Sequence, residues 1–224
     1  MCITSADAAN CYDRINHAII ALMYLTLGVP VGSIIAMLLT IQLMKFFLRT
    51  NTLLIMMGLC QGNGAAPASW LVLSSVLVRI LRQLGYGTRI RSPISRVLLD
   101  IMGVLYVADT DLMIMDECIR YPYDLWKESQ EACMAWGKLL IATGGTLKPE
   151  KCFYYLLDYE WQEDGSWQMI DMVDLPSLTV PFPNGTDAKI EQLPVTEAKK
   201  TLGVWTNPAG ICSKQLAVIR EATE

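Results

Sequence analysis

Apolar and polar positions along this chain change period several times, and each change predicts an element. Residues 2–7 are a short apolar segment that ends in Asp7. Residues 18–44 carry no charged side chain, but "GVPVGS" at 28–33 interrupts them. Pro30 would break one continuous helix there, so the run predicts two buried helices of about 13 residues each with a turn between them. The second runs from about Gly32 to Met44. "KFFLRTNTLLIMMG" reads as extended chain with a turn near Thr50-Asn51, and "LCQGNGAAPAS" as a loop that opens a third helix, roughly Ala68 to Leu84.

"GYGTRIRSPIS" is a polar connector bearing arginines. After it, Val104–Val107 and Leu112–Met115 predict the strands of a hairpin, with Asp109-Thr110-Asp111 at the reversal. From Tyr123 to Thr143, Leu125, Cys133, Trp136 and Leu140 recur at helical spacing, and Gly144-Gly145 supplies a C-cap. "CFYYLLDYEW", "EDG" and "SWQMIDMV" predict a β-hairpin with glycine in its turn. "VPFPNGTD" reads as a loop and "KKTLGVW" as a last short strand. Strands separated by hairpins and mixed with helices predict an α+β fold, an antiparallel sheet with helices packed on one face.

Composition narrows the chemistry. With 53% hydrophobic and 18% charged residues, the 224-residue chain can bury a large core and is not disordered. It fits one domain, or one domain with an appendage. A net charge of −4 lacks the basic footprint usual in a nucleic-acid binder. Seven scattered cysteines without a C-x-x-C pair argue for a reducing, intracellular compartment, and against a disulfide framework or a zinc site. His17 is the sole histidine, so any chemistry must run on carboxylates. The uncharged run at 18–44 reads as core and not as a membrane span, and the N-terminus lacks the pattern of a secretory signal. Asn184-Gly185-Thr186 reads as a turn.

Asp7 and Asp109 both stand at predicted strand ends. On adjacent strands they could hold Mg2+, which takes one or two carboxylates and leaves its other positions to water and phosphates. Such a site suits phosphoryl or nucleotidyl transfer.

Five segments in order then carry a resemblance. "DAANCYDRI" resembles motif A of reverse transcriptases, "GLCQGNGAAP" motif B, "YVADTDL" the Y-x-D-D hairpin of motif C, "GGTLKPEKC" motif D, and "KTLGVW" the L-G segment of motif E. They run from residue 7 to residue 205, and the likeness is to retrotransposon-encoded enzymes. The resemblance implies a right-hand polymerase palm with a β-hairpin extension. Residues 1–152 would form the palm core, 153–212 the hairpin and a primer-grip-like strand, and 213–224 a tail, with fingers and thumb absent.

It also implies roles. Asp7 and Asp109 would bind Mg2+ or Mn2+. Tyr12 would be the steric gate under the incoming sugar, with Gln61 and Gly62 close to the nucleotide and template. Lys151 would lie near the pyrophosphate, and Leu202 and Gly203 would help form the primer grip. The partners implied are an RNA template, a DNA primer and deoxynucleoside triphosphates. A non-catalytic retroelement remnant that binds nucleic acid weakly is the alternative.

Motif C departs from its pattern, and two registers are open. Without a gap, Tyr106-Val107-Ala108-Asp109 puts Ala108 where the family has its first catalytic Asp, and Asp7 stands alone. A slip of one residue keeps Asp109 as the main ligand and turns alternate side chains to the other face. Tyr106 in the aromatic position favours the ungapped reading.

Overall fold

Strand β1 (Cys2–Asp7) alternates strictly along its length: Cys2, Thr4 and Ala6 are buried, while Ile3, Ser5 and Asp7 are half-buried. That period of two gives the central sheet a covered face and an open one, and Asp7 is on the open one. The computed structural model describes residues 1–42, 46–47, 53–54, 58–59, 62–115, 121–172, 174–201 and 203–223.

After β1 come helices α1 (Cys11–Arg14), α2 (His17–Thr26) and α3 (Val31–Gln42), strands β2 (Phe46–Phe47) and β3 (Leu53–Leu54), and helix α4 (Ala66–Gln83). Strands β4 (Thr88–Arg91), β5 (Leu98–Ile101), β6 (Gly103–Tyr106) and β7 (Asp109–Ile114) lead to helix α5 (Pro122–Ala142). A single 3-10 turn at Pro149–Lys151 precedes β8 (Phe153–Trp161) and β9 (Trp167–Asp171). The remainder is β10 (Thr179–Pro181), β11 (Asp187–Lys189), β12 (Glu191–Gln192), β13 (Lys199–Thr201), β14 (Val204–Thr206) and helix α6 (Ser213–Thr223).

The fold is α+β. Its main sheet has the order β12-β8-β1-β7-β6, with β9 paired to β8. All of its pairings are antiparallel except β12 with β8. Helices α4 and α5 cover one face, where Leu73, Leu77, Trp136 and Leu140 join Leu112, Ile114, Tyr154 and Leu156 in one core. Phe153, Tyr155 and Leu157 project to the other face, into a smaller cluster with Leu193 and Val195. Gly144 closes α5 at φ +93°, a conformation that glycine adopts without strain.

Several expectations change. The acidic hairpin reverses two residues earlier than its turn-forming acids suggested: Tyr106 pairs with Asp109, so Val107-Ala108 is the turn, and Asp109 and Asp111 belong to β7. The arginine-bearing connector is itself a hairpin, β4–β5, and "VPFPNGTD" is the tip of another, β10–β11. "KKTLGVW" holds two short strands, β13 and β14, and the expected tail coils into α6. The first part of β8, Phe153–Leu156, pairs with β1 in the central sheet, so it is continuous with the core built by the first half of the chain, while residues 158–161 extend beyond it with β9.

The two uncharged helices differ most from expectation. Only Ile20 in α2 and Ile34 and Ile41 in α3 are buried, while Leu22, Leu25, Val31, Ile35 and Leu39 face outward. Lack of charge made the run look buried, but each helix meets its neighbours along one narrow stripe. Residues 43–44 and the turn at Thr50-Asn51 lie outside the described residues. Among the described residues, no helix is long and apolar enough to cross a membrane.

Candidate functional site

Asp7 is the last residue of β1, and its neighbours fix where its side chain lies. The Ala8 amide donates to the Ala108 carbonyl at 3.0 Å, and the Ala9 amide donates to the Thr146 carbonyl at 2.9 Å. The Lys148 amide closes the third side by donating to the Asp7 carbonyl at 2.9 Å. The end of β1 is thus clamped between the β6–β7 turn and the loop that leads out of α5.

This clamp brings the acids together. Asp7 pairs directly with Asp109 across β1 and β7, and Ser5 pairs with Asp111. Because Thr110, Leu112 and Ile114 point into the core, Asp109 and Asp111 share the open face with Asp7. Asp109 is the cross-strand neighbour of Asp7, the arrangement expected of the slipped register, while Ala108 lies in the turn beside it.

The electrostatics follow from this crowding. Burial and the neighbouring Asp7 charge push the Asp109 carboxyl above its ordinary range, against the lowering influence of Lys151. Burial raises Asp111 as well, opposed by a hydrogen bond from Ser5. Lys151, at the end of the 3-10 turn, places its Nζ 3.0 Å from Asp7 Oδ2. The hydrogen bond and charge of Asp7 hold the Lys151 ammonium above its usual value.

Two cavities meet at Asp7. One of about 410 Å3 is lined by Asp7, Asp109, Lys151, Lys199, Lys200 and Trp205 among others. The second, about 230 Å3, lies beside Asp7, Tyr12, Val107 and Ala108. Tyr12 therefore comes beside Asp7, from helix α1. Gly62 lies ahead of α4 and lines neither cavity, and Gly203 sits in the β13–β14 turn. Gln61 and Leu202 lie outside the described residues.

The hairpin β13–β14 supplies side chains that the motif reading passed over. Lys199 lies 3.7 Å from Glu191 and 3.8 Å from Glu197, and Lys214 sits 3.7 Å above the Trp205 ring. The only signal for them in the sequence is the "KK" that precedes "TLGVW".

Val107 holds the acid turn in a costly shape. Its φ is +54°, while no positive φ occurs at Ala108, a pattern that favours glycine at the first central position. For a β-branched residue this is strain of about 1–3 kcal/mol. The Trp70 indole donates to the Val107 carbonyl and holds the turn against the helix layer. Val107→Gly is expected to stabilise the protein by about 1 kcal/mol, strain relief exceeding the added chain entropy. A lower melting temperature than that of the parent would count against strain at this turn.

The residues present suit a hard divalent ion that keeps positions for phosphate oxygens. Two carboxylates opposite one another meet that need, whereas a closed protein cage is not formed: among the described residues no three or more His, Cys, Asp or Glu side chains converge to hold a metal. Lysines on the same cavity can engage phosphate oxygens as point charges. No family model matches the chain, and no curated protein matches it.

Proposed function

We propose that this chain is the palm of a retroelement-type reverse transcriptase, an RNA-directed DNA polymerase whose metal site is reduced to two carboxylates. The observation that carries the reading is the cross-strand pairing of Asp7 with Asp109, with the Lys151 ammonium 3.0 Å from Asp7. These three residues come from the segments that resemble motifs A, C and D, and they are 102 and 42 positions apart in the chain. The antiparallel sheet backed by α4 and α5 is consistent with a palm.

Asp7 and Asp109 would hold Mg2+ or Mn2+, which supplies the positive charge that stabilises the attacking and leaving oxygens. A bond forms between the primer 3′-oxygen and the α-phosphorus of a deoxynucleoside triphosphate. The bond to the bridging oxygen breaks, pyrophosphate leaves, and the hydroxyl proton passes to solvent. Lys151 donates hydrogen bonds to the departing phosphate. Tyr12, which lines the second cavity at Asp7, would hold the sugar of the incoming nucleotide. Gln61 and Gly62 would meet the nucleotide and template, and Leu202 and Gly203 the primer.

Ala108 favours a second reading. It lines the cavity beside Asp7 with a methyl group where the family has a carboxylate, which suits a non-catalytic remnant that binds nucleic acid weakly. Primer extension on an RNA template, with Mg2+ or Mn2+, separates the two. Ala108→Asp is expected to raise extension at least about tenfold, as restoration of a ligand should. If both the parent and Ala108→Asp fail to extend a primer while remaining folded, the polymerase reading falls.

A further inference from the structure

Residues 79–99 hold five of the chain's nine arginines and no acid, in a protein that is negative overall. Arg79 and Arg82 lie toward the end of α4, Arg89 and Arg91 on β4, and Arg96 in the turn before β5. The register of the β4–β5 hairpin pairs Arg89 with Asp100 and Arg91 with Leu98. Those four side chains therefore share one face, and Ile90 and Leu99 take the other. The hairpin joins the end of the central sheet through a bridge between Thr88 and Met115.

Its arginine face closes a cleft of about 430 Å3 with Arg82, Tyr86 and Glu128. Within it, Arg82 donates to the Asp100 carbonyl at 3.3 Å, and Arg91 donates to the Arg96 carbonyl at 3.2 Å. Arg89 approaches the Asp100 carboxylate at 4.0 Å, with both side chains largely exposed. A guanidinium has five N–H donors, so these hydrogen bonds leave most of the donor capacity for another acceptor. Arg89 and Arg91 start about 6.6 Å apart along the strand, comparable with successive phosphates of an extended strand. Guanidinium geometry matches phosphate oxygens, and Tyr86, which packs against the core with one side and lines the same cleft, is the aromatic within reach of a base.

We propose that this cleft is a second nucleic-acid site, which binds single-stranded RNA or DNA with Arg82, Arg89 and Arg91 on successive phosphates and Tyr86 against a base. The charge of the segment selects the occupant: a polyanion meets three guanidiniums here, and among the described residues Asp100 and Glu128 are the acids that line the cleft, with Glu131 near Tyr86. Met115 lines the cleft and lies six residues along the chain from Asp109. At about 3.3 Å per residue the two sites are about 20 Å apart. The proposal rests on the polymerase reading only in taking nucleic acid as the protein's ligand. It places strand anchoring away from the chemistry.

The test is fluorescence anisotropy of a labelled, mixed-sequence single-stranded RNA, with the full chain, in EDTA and over a range of salt. Arg89→Ala with Arg91→Ala is expected to weaken binding about tenfold and to flatten the salt dependence by about 1.4 in log–log slope, about 0.7 for each phosphate no longer neutralised. Arg89→Lys with Arg91→Lys should keep the slope. Both arginines are solvent-facing, and far-UV circular dichroism checks the fold; Arg89→Gln with Arg91→Gln serves if the alanine pair misfolds. Parent-like affinity and slope in a folded double variant would overturn the proposal, as would no RNA binding by the parent. Equal or tighter binding of duplex would overturn the choice of a single strand. Arginine-dependent binding, with no primer extension by either the parent or Ala108→Asp, would leave this site standing while removing the polymerase reading, and extension with arginine-independent binding would do the reverse.

Discussion

Asp109→Asn is expected to weaken Mn2+ binding by about a hundredfold or more, since even residues behind a metal ligand commonly cost ten to a hundredfold. It should also abolish any primer extension, including that of an Ala108→Asp background. The same substitution is expected to stabilise the metal-free protein at neutral pH. Asp109 sits opposite Asp7 on a half-buried face, and burial plus the Asp7 charge raise its carboxyl above the ordinary range.

The direction with pH follows from proton binding. A carboxyl raised in the native state holds its proton more tightly folded than unfolded, so stability falls as pH rises through that window. The cost is complete above the folded value and vanishes below the ordinary carboxylate range, where the group is protonated in both states. Asp109→Asn should therefore melt higher than the parent near neutrality in EDTA and match it in acid. Loss of metal binding with a gain in stability marks a residue kept for chemistry and not for folding. A variant that binds Mn2+ as tightly as the parent, or that melts lower at neutral pH, would remove Asp109 from the site.

Trp136→Ala is expected to cost about 3–5 kcal/mol, the range for truncating a large buried aromatic. Trp136 is 1% exposed, in the core that joins α5 to the central sheet. For a chain of this length that loss lowers the melting temperature by roughly 10 °C. The indole N–H is buried and, among the described residues, finds no hydrogen-bond partner. Trp136→Phe removes that orphaned donor together with a modest volume. Recovery of the donor's desolvation cost offsets part of the cavity, so a loss within about 1.5 kcal/mol is expected. Chemical denaturation of both variants measures the difference. Equal losses in Ala and Phe would mean that the indole N–H is satisfied and that its hydrogen bond, more than its bulk, holds the core.

The sequence alone determined the α+β class, the amphipathic helix around Trp136, the strand that ends in Asp7 and the presence of a hairpin around Asp109. Period and caps are local, and each is written in a window of a few residues. Asp7 and Asp109 stood out as acids at predicted strand ends, and the family resemblance added Tyr12 and Lys151; the structure brings Asp7 beside each of the other three. Three things were decided only by tertiary structure. The acid turn falls at Val107-Ala108 because cross-strand pairing and the Trp70 hydrogen bond impose a shape that a β-branched residue does not signal. Helices α2 and α3 look buried by composition, yet their exposure depends on which neighbours reach them. The Asp7–Asp109 pair spans 102 positions, and such a pairing is a property of sheet register and not of local pattern. For the same reason the arginines of 79–99 read as a polar connector until a hairpin put Arg89 and Arg91 on one face beside Arg82.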